Sequence, residues 1–394
     1  MKTVAERMST LPIFYFASLA PKIRELEAKG MDVIRLHIGS PDLPPPRAVL
    51  TALTQSAVQP DRHGYVHHKG TPALREAWAT MYRRCHGVNL DPEQEVVPLL
   101  GSKEGIFHLT QAMVDPGDVV LFPDPGYVTY MRSALFAGGE PWAVVLKPDR
   151  GFLPDLSEIP KGIARRAKLL WLNYPNNPTG GVATLSFFEE AVAFAQHHDL
   201  LLCHDAAYTQ VTFDGYRAPS VLEAAGAKEV AVEFNTLSKS HNMAGWRTGA
   251  AVGNRTALEA LYRIKTHADS GHFLPIHEAA IEAMTGDQDF IAPRNATYQR
   301  RRDIVMAALE ELGVAFAPPK GALYVWFACP QGQSSVDFTI ALLERTGVCL
   351  APGKMFGKQG EGWVRLSLCV PESRLQEAME RLKGFCLPAE GFIS

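Results

Sequence analysis

The chain has 394 residues, 46% of them hydrophobic and 21% charged, and a formal net charge of −3. That length exceeds one ordinary compact core, so a large and a smaller domain are expected, and the composition argues against disorder. The small net charge favours neither nucleic acid nor a membrane surface as the main partner, and no apolar run approaches the ~18 residues that span a bilayer. The opening segment Met1–Arg7 has no apolar h-region, so no secretory signal is expected. The six cysteines, Cys85, Cys203, Cys329, Cys349, Cys369 and Cys386, form no C-x-x-C pair. Cys203, Cys329, Cys349 and Cys369 lie in apolar stretches and read as reduced core residues, which predicts a cytoplasmic protein.

In chain order, Phe16 to Lys29 reads as a helix stopped by Gly30, and Asp32 to His37 as a strand. Pro41 to Pro46 carries four prolines and must be extended loop. Thr71 and Pro72 open a helix that Gly87 closes. Seven short apolar runs follow: Glu95–Leu100, Val119–Phe122, Trp142–Leu146, Lys168–Leu172, Leu200–His204, Glu229–Phe234 and Gly249–Gly253. Helical stretches such as Leu185–His198 separate several of them. The pattern predicts an α/β fold with a mostly parallel, two-side-covered sheet and a ligand beyond the carboxyl ends of its strands. From about residue 291 the pattern changes to a long helix, Arg294–Leu312, then strands near Leu323–Ala328 and Trp363–Cys369, with helices near Val336–Thr346 and Glu372–Phe385. This reads as a smaller α+β domain, 291–394, after a large domain, 46–290, with 1–45 an N-terminal arm packing on the smaller one.

Five clusters sit at predicted strand ends. Gly101-Ser102-Lys103-Glu104-Gly105 opens a helix, where a hydroxyl and free N–H groups make a phosphate cradle; alone it reads more readily as an ordinary strand-to-helix turn. Asn173-Tyr174-Pro175-Asn176-Asn177-Pro178-Thr179-Gly180 is a stiff loop that could aim an amide at a ligand oxygen, or merely turn the chain. In His204-Asp205-Ala206-Ala207-Tyr208, Asp205 ends an apolar run; a buried carboxylate there needs a cation, unless it only caps the next element. Asn235-Thr236-Leu237-Ser238-Lys239-Ser240 leads to Gly245-Trp246-Arg247-Thr248-Gly249. Lys239 could form a Schiff base with an aldehyde, and the hydroxyls with Arg247 suit a phosphate, although a lysine in a polar loop is usually just solvated. In Trp363-Val364-Arg365-Leu366-Ser367-Leu368, Arg365 interrupts an apolar strand and could clamp a carboxylate, or face solvent. His67-His68 and His197-His198 lack nearby ligands at metal spacing, so no metal is expected.

Order and spacing join these clusters. N-N-P-T-G precedes D-A-A-Y, with Asp205 28 residues after Asn177; Lys239 follows Asp205 by 34 residues, and then come Arg247 and R-L-S. The chain from about Leu11 onward resembles fold-type I enzymes dependent on pyridoxal 5'-phosphate (PLP), specifically class I/II aminotransferases. The resemblance implies that Lys239 carries the cofactor and shuttles protons, and that Asp205 pairs with the ring nitrogen. Tyr208 and Asn177 would donate to the ring oxygen, and Tyr127 would stack on the ring. Ser102, the Lys103 N–H, Ser238, Arg247 and Thr236 would form the phosphate cup. Tyr65 would reach the cofactor of a neighbouring subunit, which implies a homodimer with shared sites. Arg365 with the Gly39 backbone would hold the substrate carboxylate. The reaction implied is ping-pong exchange of an amino group between an α-amino acid and a 2-oxo acid.

The segments around Ser102, Leu170–Pro178 and Cys203–Tyr208 are most similar to LL-diaminopimelate aminotransferases and their relatives. This implies 2-oxoglutarate/glutamate as one pair, and a place in lysine biosynthesis. Phe14 stands where that family often has a substrate-contacting tyrosine, and Asp269-Ser270-Gly271 replaces a segment that often supplies an asparagine. Alanine, aspartate, glutamate or methionine transamination therefore stays open, as does a PLP β-lyase on the same fold. A nicotinamide enzyme is excluded because no G-x-G-x-x-G follows an early strand. A PLP-sensing regulator would need a basic DNA-binding segment, and none precedes Leu11.

Overall fold

The computed structural model describes residues 4–5, 8, 15–330 and 333–386; Phe14 lies outside them. A helix, Tyr15–Ala28, ends before Gly30, whose φ of +88° lets the chain reverse. Of the strand expected over Asp32–His37 only two residues form, β1 (Ile34–Arg35). Its one partner strand is equally short, and the Asp32 side chain is drawn away to Arg374 and Arg381, each at 2.8 Å. The helix Pro72–His86 starts as expected: Thr71 Oγ1 accepts from the Leu74 N–H at 3.2 Å, and Gly87 closes it in the left-handed region.

All seven apolar runs become strands of one sheet: β2 (Val96–Leu99), β3 (Val119–Asp124), β4 (Glu140–Val145), β5 (Ala167–Asn173), β6 (Leu201–Asp205), β7 (Ala231–Thr236) and β8 (Gly249–Gly253). Their order is β2-β8-β7-β6-β5-β3-β4. β8 alone runs antiparallel, against both β2 and β7. Helices cover both faces, so β5 is buried at Leu169, Leu170, Trp171 and Leu172, and each such side chain contributes roughly 1.5–3 kcal/mol. The run expected from Glu229 starts two residues later, because Ala227–Val230 winds into a short helix opened by Gly226.

The long helix spans Ile291–Glu311 and accepts Pro293 in its first turn, where no intrahelical N–H is needed. A four-stranded antiparallel sheet follows in the order β12-β13-β10-β9, formed by β9 (Phe316–Ala317), β10 (Tyr324–Ala328), β12 (Ala351–Pro352) and β13 (Trp363–Ser367). β13 stops at Ser367, short of Cys369: the Leu368 N–H turns to the Leu323 carbonyl, and the Cys369 N–H to Ser367 Oγ. The intervening β11 (Val348–Cys349) pairs in parallel with β1, which sews the N-terminal segment onto this part of the chain. Asp42 grips Arg301 of the long helix through both oxygens, at 2.7 and 2.9 Å. All six cysteines are free; Cys203, Cys349 and Cys369 are buried, whereas Cys329 is only half-buried at the end of its sheet. Among the described residues no helix is long and apolar enough to cross a membrane.

Candidate active site

β5, β6 and β7 end together at Asn173, Asp205 and Thr236. Because β8 is antiparallel, its beginning, preceded by Arg247 and Thr248, arrives at the same edge. The helix Ser102–Met113 starts there as well, after β2. A cavity of about 620 Å³ opens over this edge and is roofed by β10, β13 and the N-terminal helix. It brings together Gly39, Ser102, Lys103, Tyr127, Asn177, Asp205, Tyr208, Thr236, Ser238, Lys239, Arg247 and Arg365. Of the residues expected to act together, it leaves out Tyr65 and, outside the described residues, Phe14. Tyr65 is 95% exposed, away from the cavity of its own chain.

At the floor, Asp205 is buried. Its Oδ2 accepts from the Tyr130 hydroxyl at 2.8 Å, and Oδ1 has no partner among the described residues. Burial pushes its carboxyl up, with the Tyr130 hydrogen bond pulling the other way. A buried acid that lines the cavity with one oxygen lacking a side-chain partner calls for a cationic N–H. Lys239 faces it from the short helix Leu237–Ser240, its ammonium donating to the Gly39 carbonyl. Burial chiefly lowers the Lys239 pKa; Arg365 and Arg247 add to this, against Cys369 and Asp205.

The stiff loop after β5 is held from below. Asn173 donates from Nδ2 to the Asp205 carbonyl at 2.7 Å and accepts from the Asn177 N–H at 2.8 Å. Arg365 Nη1 donates to Asn177 Oδ1 at 2.8 Å. A guanidinium can only donate, so the Asn177 amide keeps its oxygen toward Arg365 and leaves its NH₂ for a ligand acceptor. Arg365 Nη2 donates to the His37 carbonyl at 2.7 Å. Its guanidinium carbon lies 4.1 Å from the Tyr324 ring centroid and 4.7 Å from that of Phe356, a sandwich that fixes its plane. The arginine therefore faces the cavity and not bulk water.

At the other end lies an anion cradle. The first N–H groups of Ser102–Met113 have no helical partners. Gly101 has φ +82°, and a Cβ on it would stand 2.3 Å from Arg247 Nη2, so only glycine lets the guanidinium lie across the helix start. Ser238 lines the same end. Thr236 spends its hydroxyl on the loop itself, at 2.9 Å from both Ser238 Oγ and the Thr248 carbonyl, so it shapes the cradle. Tyr127 stands above the floor with its ring edge-on to Tyr130, 5.7 Å between centroids.

Three residues absent from the sequence expectations complete the site: Tyr130 under Asp205, Tyr324 beside Tyr208, and Glu233. The last is a fully buried carboxylate on β7 that accepts from Tyr82, Ser220, the Val221 N–H and His204 Nδ1, at 2.8–3.0 Å. His204 in turn meets the Tyr174 N–H at 3.3 Å, under the Asn177 loop. Only Glu233 left a trace, as a charge inside an apolar run. The triad Glu104, His108 and Asp269 has its carboxylates bridged by Lys265, whose Nζ is 2.7 Å from Asp269 and 3.4 Å from Glu104.

An aldehyde cofactor with a protonated ring nitrogen and a phosphate fits these residues: a buried amine, an acid with an orphaned oxygen and a cradle that a Cβ would fill. Fold and site define an α/β transferase of that kind. The chain belongs to the aminotransferases of class I and II, whose family model matches residues 31–382. It is a PLP-dependent aminotransferase. It is 49% identical to the LL-diaminopimelate aminotransferase of Moorella thermoacetica, over 96% of this chain and 97% of the relative. It is 47% identical to that of Dehalococcoides mccartyi, over 97% and 98%. Among solved structures, substrate-bound BacF from Bacillus subtilis superposes with a TM-score of 0.94 at 38% identity, covering 98% of this chain and 99% of the other. A mutant of Thermus thermophilus aspartate aminotransferase gives 0.91 at 32%, covering 97% and 99%.

Proposed function

We propose that this aminotransferase exchanges the amino group between LL-diaminopimelate, with tetrahydrodipicolinate as its partner, and 2-oxoglutarate/glutamate. The observation that carries the reading is the charge of the cavity. Among the described residues its lining holds Arg24, Lys103, Lys239, Arg247 and Arg365, with Arg35 paired to Glu27, against the one acid Asp205. Such an excess suits a phosphate together with substrates that bear two carboxylates. Relatives aligned over nearly the whole of both chains bear the diaminopimelate activity in their names.

When bound, the cofactor supplies the electron sink that makes a substrate α-proton removable. Asp205 would hold the proton of the ring nitrogen, with Tyr130 keeping that carboxylate in place. Asn177 and Tyr208 would donate to the ring oxygen, and Tyr127 would cover the ring face. Ser102, the Lys103 N–H, Ser238 and Arg247 would hold the phosphate. Arg365 takes the substrate α-carboxylate, beside the Gly39 backbone, and so turns Cα toward Lys239. The Lys239 amine would hold the cofactor and, once free, would be the base that takes the substrate α-proton. Burial lowers the pKa of that amine and so favours its neutral, basic form. On this reading residues 46–290 form the large domain that binds the cofactor, 291–394 the smaller domain, and 1–45 a segment that packs with the smaller one. The protein works in the cytoplasm as a homodimer, in which the exposed Tyr65 reaches the partner's phosphate site.

Half-reactions test the substrate. Holoenzyme mixed with LL-diaminopimelate or glutamate should lose its visible band, and 2-oxoglutarate should restore it. Alanine, aspartate and methionine should react at least about tenfold more slowly. Aspartate or alanine outpacing LL-diaminopimelate would overturn the assignment, and a band that no 2-oxo acid restores would point to a lyase.

A further inference from the structure

Tyr208 and Tyr324 share a hydrogen bond, 2.9 Å between hydroxyls, although they come from opposite sides of the cavity. Tyr208 follows β6 and Tyr324 begins β10. Both are buried. Tyr324 also lies under the Arg365 guanidinium. Its hydroxyl stands so close to Gly39 that a Cβ there would come within 1.9 Å of it. One phenol thus touches the ring-oxygen donor, the carboxylate clamp and the backbone that accepts from Lys239. We propose that Tyr324 is a positioning residue: it donates its proton to Tyr208 and so commits the Tyr208 proton to the cofactor's ring oxygen. The inference rests on the role read for Tyr208 above.

The argument is one of proton count. Each neutral phenol has one proton and two lone pairs. Two phenols joined by one hydrogen bond leave one proton over, and the cofactor oxygen needs it from Tyr208. The shared proton must then be that of Tyr324. The surroundings favour this direction. Burial raises both phenols and Arg365 lowers both, but its guanidinium lies directly over the Tyr324 ring, where it is the largest opposing cause, while Asp205 pushes Tyr208 further up. Tyr324 is therefore the better donor and Tyr208 the better acceptor. Tyr127 and Cys369 are the other titratable groups that face Tyr324, and both push it up. A phenol that accepts a hydrogen bond becomes a stronger donor in turn, so the contact strengthens the bond to the cofactor oxygen.

The test is the pH at which the visible band of the holoenzyme changes, read in wild type, Tyr208→Phe, Tyr324→Phe and the double variant. Loss of a donor to the ring oxygen makes its anionic form less stable and moves the transition to higher pH. Tyr208→Phe should move it most. Tyr324→Phe keeps the ring under Arg365 and should move it the same way by roughly half a unit to one unit. The double variant should match Tyr208→Phe alone, because Tyr324 acts through Tyr208. Tyr324→Leu, which also removes the ring, should add a rise in KM of about threefold to tenfold. An unmoved transition in Tyr324→Phe, or shifts that add in the double variant, would overturn the proposal. An unmoved transition in Tyr208→Phe would overturn it through the Tyr208 assignment itself, which separates the two failures.

Discussion

Replacing Asp205 with asparagine separates the cost of this site from its use. The carboxylate is buried, Oδ2 accepts from Tyr130 at 2.8 Å, and among the described residues Oδ1 has no side-chain partner. The asparagine amide would keep a carbonyl oxygen for Tyr130, so the geometry should survive. What disappears is the negative charge opposite the protonated ring nitrogen. Removing one partner of a buried ion pair costs about 3–5 kcal/mol. At about 1.4 kcal/mol per decade, the half-reaction should slow by roughly 10²–10⁴. The effect on the apoprotein has the opposite sign. Burial raises the carboxyl above its unfolded value, so the ionised group destabilises the fold, fully so above its folded pKa and not at all below its unfolded one. Asp205→Asn removes that penalty, so the apoprotein should melt at the wild-type temperature or above. Rapid mixing with substrate and calorimetry of the apoprotein read the two effects. A half-reaction rate within about threefold of wild type would refute the argument, as would an apoprotein that melts early and loses rate only for that reason.

Two further predictions concern the surroundings. Burial is the main cause that lowers His37 and His277 to about 4 and His241 to about 3, with Arg365 adding for His37, His272 for His277 and Arg294 for His241. Unfolding frees them to protonate near 6.5, so their stability contribution is whole above that pH and is lost as pH falls toward 4, at up to about 1.4 kcal/mol per unit of separation for each. Asp124 and Asp205, which burial raises, oppose this at the acid end. Denaturant unfolding between pH 7.5 and 4.5 should show stability falling most steeply below about 6.5, and a flat profile would contradict it. Arg365→Lys cannot hold Asn177 and the His37 carbonyl with one fork, so KM for the amino acid should rise about 10- to 100-fold, with a smaller change in kcat. Steady-state kinetics would contradict this if kcat fell while KM stayed.

Much of this site was legible because its residues break local rules. Asp205 and Arg365 are charges at the ends or in the middle of apolar strands, and Asn177 sits in a loop that two prolines and a glycine make stiff. Seven strands were visible because a sheet covered on both faces needs continuous apolar runs. Tyr324 and Tyr130 were not legible: an aromatic residue on a buried strand or helix satisfies the packing pattern, and nothing local says that its hydroxyl meets Tyr208 or Asp205. The strand around β1 was overestimated because Ile34 and Leu36 are buried in the core of the smaller sheet, while ladder pairing with β11 extends only over Ile34 and Arg35. Tyr65, exposed on its own chain, was suggested only through resemblance, since its expected target belongs to another subunit.

The central claim is that the Lys239 amine carries the cofactor. Borohydride reduction of the holoenzyme, digestion and mass spectrometry test it directly. The account predicts a single reduced pyridoxyl adduct, on the peptide that contains Lys239. An adduct on Lys103 or Lys265, with Lys239 unmodified, would contradict it.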